Sequence, residues 1–264
     1  MKKYLVIGNP IEHSLSPKLH NYWMRKNNID AIYEKKKIKE GDLKELILDI
    51  KKEKIHGINV TVPFKKTVIN YLDDLTEVSK KTQSVNTIYK KADKILGHNT
   101  DVGGFEKSFT DIDYEVKNKK IFILGAGGVV SSIIAGLKNL GGSEIILSNR
   151  TKENAKKLKE VYSDLKILDW GQSTNFDIII NATSLGLKKE DNINLNLQNI
   201  GKNKLFYDVI YNPNITNFLQ EGKKLGNKTI NGRLMFVYQA QLAFKVWHNI
   251  LPEINNEIID LLKT

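Results

Sequence analysis

The segment Phe122-Ile123-Leu124-Gly125-Ala126-Gly127-Gly128 narrows the possible folds of this 264-residue chain more than any other. An apolar run over 120–124 ends directly in glycines, and a helical stretch over 129–140 follows before Gly141-Gly142 stops it. Glycines at such a corner let an anionic group approach main-chain amides with no Cβ in between. The first turn of the helix adds N–H donors and the positive end of its dipole. The spacing departs from the usual G-x-G-x-x-G pattern at its sixth place, where Val130 stands. A residue of that size is expected to push the helix slightly off the strand. Alone, the corner would also suit a tight turn in a sheet protein that binds nothing.

The rest of the chain gives the corner its setting. Strands over 144–148, 176–182 and 205–210 alternate with helices over 152–162 and 217–225. Continuous apolar strands joined by helices indicate a parallel sheet covered on both faces. Further upstream, strands are expected over 4–8, 31–36 and 58–64, and a hairpin over 85–89 and 94–98. A helix should start at Ser16-Pro17 and run to about Asn27, with Ser16 as cap and Pro17 at the first helical position. A Lys/Glu-rich helix is expected around 42–52, a long helix over 234–250, and an amphipathic one after Pro252. The reading is α/β: a Rossmann-like doubly wound domain over 103–232, and a second α/β domain over 1–102 to which 233–264 return. A Gly103-Gly104 hinge marks the first boundary, Gly232 the second, and the active site is expected in the cleft between the lobes.

Composition removes several functions. The net charge of +11 suggests nucleic acid, but three of the 41 basic residues are arginine: Arg25, Arg150 and Arg233. Base and phosphate recognition favours the guanidinium fork, and the lysines are scattered over every expected helix. No nucleic-acid role is expected, only a field that favours anionic ligands. The absence of cysteine excludes thiolate catalysis, disulfides and thiolate-bound metal. No apolar run reaches the roughly 18 residues a membrane span needs, and residues 4–10 are too short for a signal core, so a cytoplasmic protein is expected. His13, His20 and His98 lack carboxylate partners at metal-ligand spacing, so no metal site is expected. Trp23, Trp170 and Trp247 read as core residues.

The strand over 144–148 then selects a cofactor. NAD enzymes end this strand in an acidic residue that binds the ribose hydroxyls, whereas NADP enzymes often offer a basic one to the 2′-phosphate. Here the tip is Asn149-Arg150-Thr151. Arg150 suits stacking on adenine and pairing with the phosphate, and NADP(H) is the expected cofactor. Two other groupings stay open on the residues alone. Ser14 and Ser16 stand just ahead of a helix, where two hydroxyls and the first amides can converge on a carboxylate; equally, Ser16 is a plain cap and Ser14 a loop residue. Asn59, Thr61 and Lys65 fall on one face of the 58–64 strand or just past its end, facing either solvent or a pocket.

The motifs Gly8-Asn9-Pro10-Ile11-Glu12-His13-Ser14-Leu15-Ser16-Pro17, Asn59-Val60-Thr61-Val62-Pro63-Phe64-Lys65, Val85-Asn86-Thr87 and Asn99-Thr100-Asp101 occur in that order. Gly125-Ala126-Gly127-Gly128, Asn149-Arg150-Thr151, Asn181-Ala182-Thr183-Ser184-Leu185-Gly186, Tyr207-Asp208-Val209-Ile210-Tyr211 and Gln239-Ala240 follow. In this succession the chain resembles the shikimate/quinate dehydrogenase family nearly end to end. The resemblance implies reversible reduction of 3-dehydroshikimate to shikimate by NADPH, with Lys65 and Asp101 as the catalytic pair. Ser14 and Ser16 would take the substrate carboxylate, with Tyr211 near it, while Asn59, Thr61, Asn86, Asp101 and Gln239 would take ring hydroxyls. Gly125, Ala126, Gly127, Gly128, Val129, Asn149, Arg150, Thr151, Thr183, Ser184 and Gly232 would border the cofactor. Many relatives carry a second basic residue where Asn154 and Ala155 stand here, so NADP preference is expected to survive in weaker form, with Lys152 and Lys156 as substitutes. Quinate/shikimate and aminoshikimate dehydrogenases are the neighbouring alternatives. A cofactor-sensing binder without catalysis is a third, which retention of Lys65 and Asp101 disfavours. The protein is expected to act on a small molecule as a monomer or homodimer, away from membranes.

Overall fold

A computed structural model describes residues 1–197 and 200–262. The chain divides into two compact units: Met1–Gly104 together with the chain from Val237 onward, and Phe105–Phe236.

The first unit opens with β1 (Lys2–Gly8), α1 (Ser16–Lys26), β2 (Ala31–Lys37), α2 (Leu43–Lys51) and β3 (Gly57–Val60). β1 pairs in parallel with both β2 and β3, as helical crossovers require. β4 (Asp74–Leu75), α3 (Glu77–Thr82) and the hairpin β5 (Thr87–Lys91) and β6 (Lys94–His98) follow. β5 runs antiparallel to β3, giving a mixed sheet in the order β2-β1-β3-β5-β6-β4. Leu5, Ile7, Ile58, Val60, Phe64 and Ile88 join the buried face of α2 in one core. The edge strand β2 leaves Lys35, Lys36 and Lys37 exposed, charges that discourage pairing with another sheet.

β3 stops at Val60, short of the Phe64 end that alternation predicts. Pro63 has no N–H to continue a ladder, and the Phe64 N–H donates to the Thr61 carbonyl at 3.0 Å, closing a turn. Lys65 is therefore set by that turn, with its own carbonyl accepting from the Val85 N–H at 2.9 Å. A second difference concerns Gly103-Gly104. Both lie inside a helix, α4 (Asp101–Asp111), and both serve close packing within the first unit. A Cβ on Gly104 would stand 2.7 Å from the Gln239 main-chain nitrogen, and one on Gly103 would stand 2.7 Å from Leu242.

The second unit continues with β7 (Lys120–Leu124), α5 (Val130–Asn139), β8 (Glu144–Ser148), α6 (Lys152–Val161) and β9 (Lys166–Leu168). It closes with β10 (Ile178–Asn181), β11 (Leu205–Asp208), α7 (Asn217–Lys224) and β12 (Lys228–Ile230). All its strand pairs are parallel, in the order β12-β11-β10-β7-β8-β9. This is the doubly wound arrangement, with its topological switch between β7 and β10. Successive strand residues feed opposite layers, as the pleat dictates. Ile121, Ile123, Ile178, Ile180 and Tyr207 enter one core; Phe122, Leu124, Ile179 and Phe206 enter the other. Val130, the residue out of place in the glycine pattern, is fully buried in the first of these layers.

The chain ends with α8 (Arg233–His248) and α9 (Asn256–Leu261), the latter capped by the Asn255 side chain, which accepts from the Ile258 N–H at 3.2 Å. Among the described residues no helix is long and apolar enough to cross a membrane.

Candidate active site

Lys65 and Asp101 meet in the first unit. The Lys65 ammonium lies 2.5 Å from Asp101 Oδ2, with side-chain exposures of 10% and 7%. A buried ion pair of this kind is costly unless its remaining valences are satisfied, and on the carboxylate side a network of amides does so. Asn86 Nδ2 donates to Asp101 Oδ1 at 2.8 Å and to Thr100 Oγ1 at 2.9 Å. Asn86 Oδ1 accepts from the Thr100 N–H at 2.8 Å and from Thr87 Oγ1 at 3.0 Å. Asn99 Oδ1 accepts from the Asp101 N–H at 3.0 Å and the Val102 N–H at 3.3 Å, holding the first turn of α4. Asp101, the first residue of that helix, also gains from its dipole. Gln239 on α8 reaches the same group, its Oε1 accepting from Asn86 at 3.5 Å.

Asn59 on β3 extends this network. Its Nδ2 donates to the Asn86 carbonyl at 3.0 Å and to Thr87 Oγ1 at 3.1 Å, and its Oδ1 accepts from the Tyr33 phenol at 2.7 Å. Thr61 is half-buried in the turn after β3. Gly8 allows that turn its close approach to β1: a Cβ there would stand 2.5 Å from Thr61 Cγ2, and the Asn9 N–H donates to the Val62 carbonyl at 3.0 Å. At the start of α1 the expected cap does not form. Ser16 is the first helical residue and makes no cap bond; its N–H donates instead to Ser14 Oγ at 3.3 Å. Ser16 is buried and its hydroxyl neighbours the Tyr33 phenol. His13 is exposed.

The glycine corner of the second unit fits a dinucleotide on its own geometry. A Cβ on Gly125, whose φ is +107°, would stand 2.7 Å from the Ala182 carbonyl oxygen, so β7 and β10 require a glycine at the switch. At Gly127 no described atom lies within 4 Å of an added Cβ. The corner is open above that residue, and no side chain caps α5, which Val129 precedes. Ala126 and Gly128 are half-buried beside it. At the β8 tip, Asn149 Nδ2 donates to the Thr151 carbonyl at 2.7 Å and Arg150 is exposed. Lys152, one of the two substitutes for a second phosphate clamp, pairs with Asp169 at 2.5 Å.

The ends of β10 and β11 are tied by a carboxyl group to which sequence reasoning gave no role. Asp208 Oδ1 accepts from Asn181 Nδ2 at 3.1 Å and the Ile210 N–H at 3.0 Å, and its Oδ2 accepts from Thr216 Oγ1 at 2.6 Å. Asn181 Oδ1 in turn accepts from Thr183 Oγ1 at 2.7 Å, which fixes the Thr183–Ser184 turn. Burial pushes the Asp208 carboxyl up to about 6 against these bonds. Tyr211, just beyond, stacks on Phe236 with ring centroids 4.5 Å apart. Gly232 is a close-packing position, since a Cβ would stand 2.1 Å from the Val209 carbonyl oxygen. The roles of Asn99, Thr87, Tyr33 and Asp208 went unseen because each acts on another side chain. For Asn99, Thr87 and Asp208 the sole signal was membership of the short motifs; Tyr33 lay in none of them. Among the described residues, no group of three or more His, Asp or Glu side chains could hold a metal ion.

Fold and sites together define an oxidoreductase of the dinucleotide-dependent dehydrogenase class: an open glycine corner at the switch of a doubly wound sheet, in a chain that also buries a lysine–aspartate pair. Comparison with known proteins sharpens the class. The family model described as "Shikimate dehydrogenase substrate binding domain" matches residues 6–88, and that described as "Shikimate / quinate 5-dehydrogenase" matches 107–231. The chain is 57% identical to the shikimate dehydrogenase (NADP(+)) of Pelagibacter ubique, over 99% of this chain and 98% of that one. A solved shikimate dehydrogenase from Aquifex aeolicus aligns with a TM-score of 0.88 at 35% identity, covering 98% of this chain and 96% of the other. The Thermus thermophilus enzyme, solved in complex with NADP(H) and shikimate, aligns at 0.85 and 28% identity, covering 96% and 95%. The chain belongs to the shikimate dehydrogenase family.

Proposed function

We propose that this chain is an NADP-dependent shikimate dehydrogenase, reversibly reducing 3-dehydroshikimate to shikimate on the way to chorismate and the aromatic amino acids. The observation that carries the reading is the Lys65–Asp101 pair, buried and held at 2.5 Å in a chain of this family. In this reading residues 1–102 and 233–264 bind substrate and residues 103–232 bind NADP(H). NADPH, when bound, supplies the hydride that reaches the carbonyl carbon. Lys65 Nζ holds the proton that the carbonyl oxygen needs, and its charge stabilises the oxyanion as it develops. Asp101 keeps the ammonium in place through Oδ2 and, with Asn59, Thr61 and Gln239, meets the ring hydroxyls; Asn86, expected to take a hydroxyl itself, is fully bonded within the protein and fixes Asp101 Oδ1 instead. In the reverse direction Lys65 takes the proton back from the alcohol.

Ser14 and Ser16 are assigned to the substrate carboxylate, with Tyr211 completing that end. The Gly125–Val129 corner takes the pyrophosphate against the amides that open α5. Arg150, flanked by Asn149 and Thr151, takes the 2′-phosphate, which explains the missing carboxylate at the β8 tip. Thr183, Ser184 and Gly232 border the nicotinamide end. Lys152 serves the phosphate weakly, because Asp169 already neutralises it. The enzyme is assigned to the cytoplasm, as a monomer or homodimer.

The test is NADPH absorbance with shikimate and quinate each offered with NADP and with NAD. Shikimate with NADP is expected to give the highest kcat/KM. Lys65→Ala is expected to lower kcat by about 10²–10⁴-fold while NADPH still binds, followed by its fluorescence. Near-normal turnover in that variant removes the catalytic assignment.

A further inference from the structure

Tyr33 is fully buried and contributes no group to the chemistry above, yet more of the first unit grips it than grips Lys65. Its main chain is clasped by one side chain from α1: Asn21 Nδ2 donates to the Tyr33 carbonyl at 2.8 Å, and the Tyr33 N–H donates to Asn21 Oδ1 at 2.9 Å. Its ring lies flat on His20, also of α1, with centroids 4.3 Å apart and planes 2° from parallel. So located, the phenol stands between the Ser16 hydroxyl and Asn59 Oδ1, to which it donates at 2.7 Å. Burial holds its pKa well above the ordinary phenol value, so it remains a donor at every working pH.

The polarity of Asn59 follows from its partners. The Asn86 carbonyl can only accept, and Thr87 Oγ1 gives its own proton to Asn86 Oδ1, so both face the Asn59 amino group. Both Nδ2 hydrogens are thereby used, and the phenol occupies one lone pair of Oδ1. Among the described residues, Asn59 is left with a single open valence, the second lone pair of Oδ1.

We propose that Tyr33 is a positioning residue for substrate selection, fixing the Asn59 carboxamide so that it receives a ring hydroxyl as an acceptor and rejects a ligand without a donor there. The inference rests on the assignment of Asn59 to the substrate and adds to it the direction of the hydrogen bond and the group that enforces it. Sites built to pair a hydroxyl discriminate strongly against analogues that lack it, because the buried partner is left unmatched.

The test combines one analogue series and two variants. In the unaltered enzyme, shikimate derivatives with one non-reacting ring hydroxyl replaced by fluorine keep size and acceptor character but lose the donor. At one ring position the replacement is expected to lower kcat/KM by about 100-fold. In Tyr33→Phe, which keeps the stack on His20, the KM for shikimate is expected to rise about tenfold, consistent with one lost buried hydrogen bond. kcat and the KM for NADP should stay within about twofold, and rejection of the fluorinated analogue should weaken. Combined with Asn59→Ala, the two changes are expected to cost little more than Asn59→Ala alone.

An unchanged or lowered KM in Tyr33→Phe, equal losses for substrate and cofactor, or multiplying effects in the double variant each overturn the proposal while leaving Asn59 at the site. Tolerance of every fluorinated analogue by the unaltered enzyme overturns it with no variant involved. If Asn59→Ala itself leaves the shikimate KM unchanged, the assignment of the substrate face falls and the proposal with it.

Discussion

Asp208 shows how a single buried group sets a pH dependence. It is fully buried, its carboxyl titrates at about 6, and none of the ion pairs formed among the described residues involves it. Its folded value lies above the 3.8 of the free group, so between those values the folded chain binds the proton more tightly than the unfolded chain does. The contribution is therefore fully present below about pH 4 and lost as pH rises through 6. It amounts to roughly 3 kcal/mol, at about 1.4 kcal/mol per unit. Asp208→Asn removes this ionisation and leaves an acceptor for Asn181 and the Ile210 N–H. Relative to the unaltered protein, the variant should gain stability in denaturant titrations as pH rises from 4 to 7. A difference that stays flat across that range would show that Asp208 ionises without strain. Sequence offered no route to this, because a lone Asp ending a strand has the same appearance whether or not a cation faces it.

At the scale of elements, α4 and α8 meet where glycine removes the side chain between them. Gly104→Ala would place a Cβ 2.7 Å from main-chain atoms of Gln239, and overpacking of this kind costs about 1–3 kcal/mol. Gly41→Ala, with no described atom within 4 Å, is the matched control. Thermal melts should separate the two, the first lowering Tm by several degrees and the second leaving it unmoved. The second unit was legible because β7, β8, β10 and β11 are buried on both faces, so their apolar runs need no alternation to be recognised. β4, β9 and β12 are too short for any period to emerge, and α4 was hidden by a glycine pair that reads as a loop. The end of β3 was misjudged because alternation carried through Pro63, where main-chain bonding stops. The meeting of Lys65 with Asp101 was legible only through the family resemblance. Lys65 lies in a turn and Asp101 opens a helix 36 positions later, and no local pattern joins them.

For the molecule as a whole, each unit holds one buried group whose response to acid is opposite to the other's. In the first, His20 is fully buried, neither ring nitrogen has a hydrogen-bond partner among the described residues, and desolvation, aided by His248, pushes its pKa down to about 3. A depressed imidazole stabilises the fold above its free value near 6.5, and that contribution is lost as pH falls toward 3. Asp208 in the second unit acts in the reverse sense over much of the same range. Hydrogen exchange at pH 4.5 compared with pH 7 should therefore show protection falling first in α1, β2 and the His248 end of α8, before β10 and β11. His20→Phe should remove the difference; simultaneous loss in both units would contradict it. The first unit also holds the Lys65–Asp101 pair, whose carboxylate is fixed by Asn86. That amide has a protein partner at each of its hydrogens and lone pairs. On the proposed assignment of Asp101 to the substrate, the entropy of aligning its carboxylate is lost when the chain folds and not on binding. A mould already set gains in speed what it gives up in tolerance: on that assignment, a molecule with one misplaced hydroxyl meets side chains that have no alternative bond to turn to.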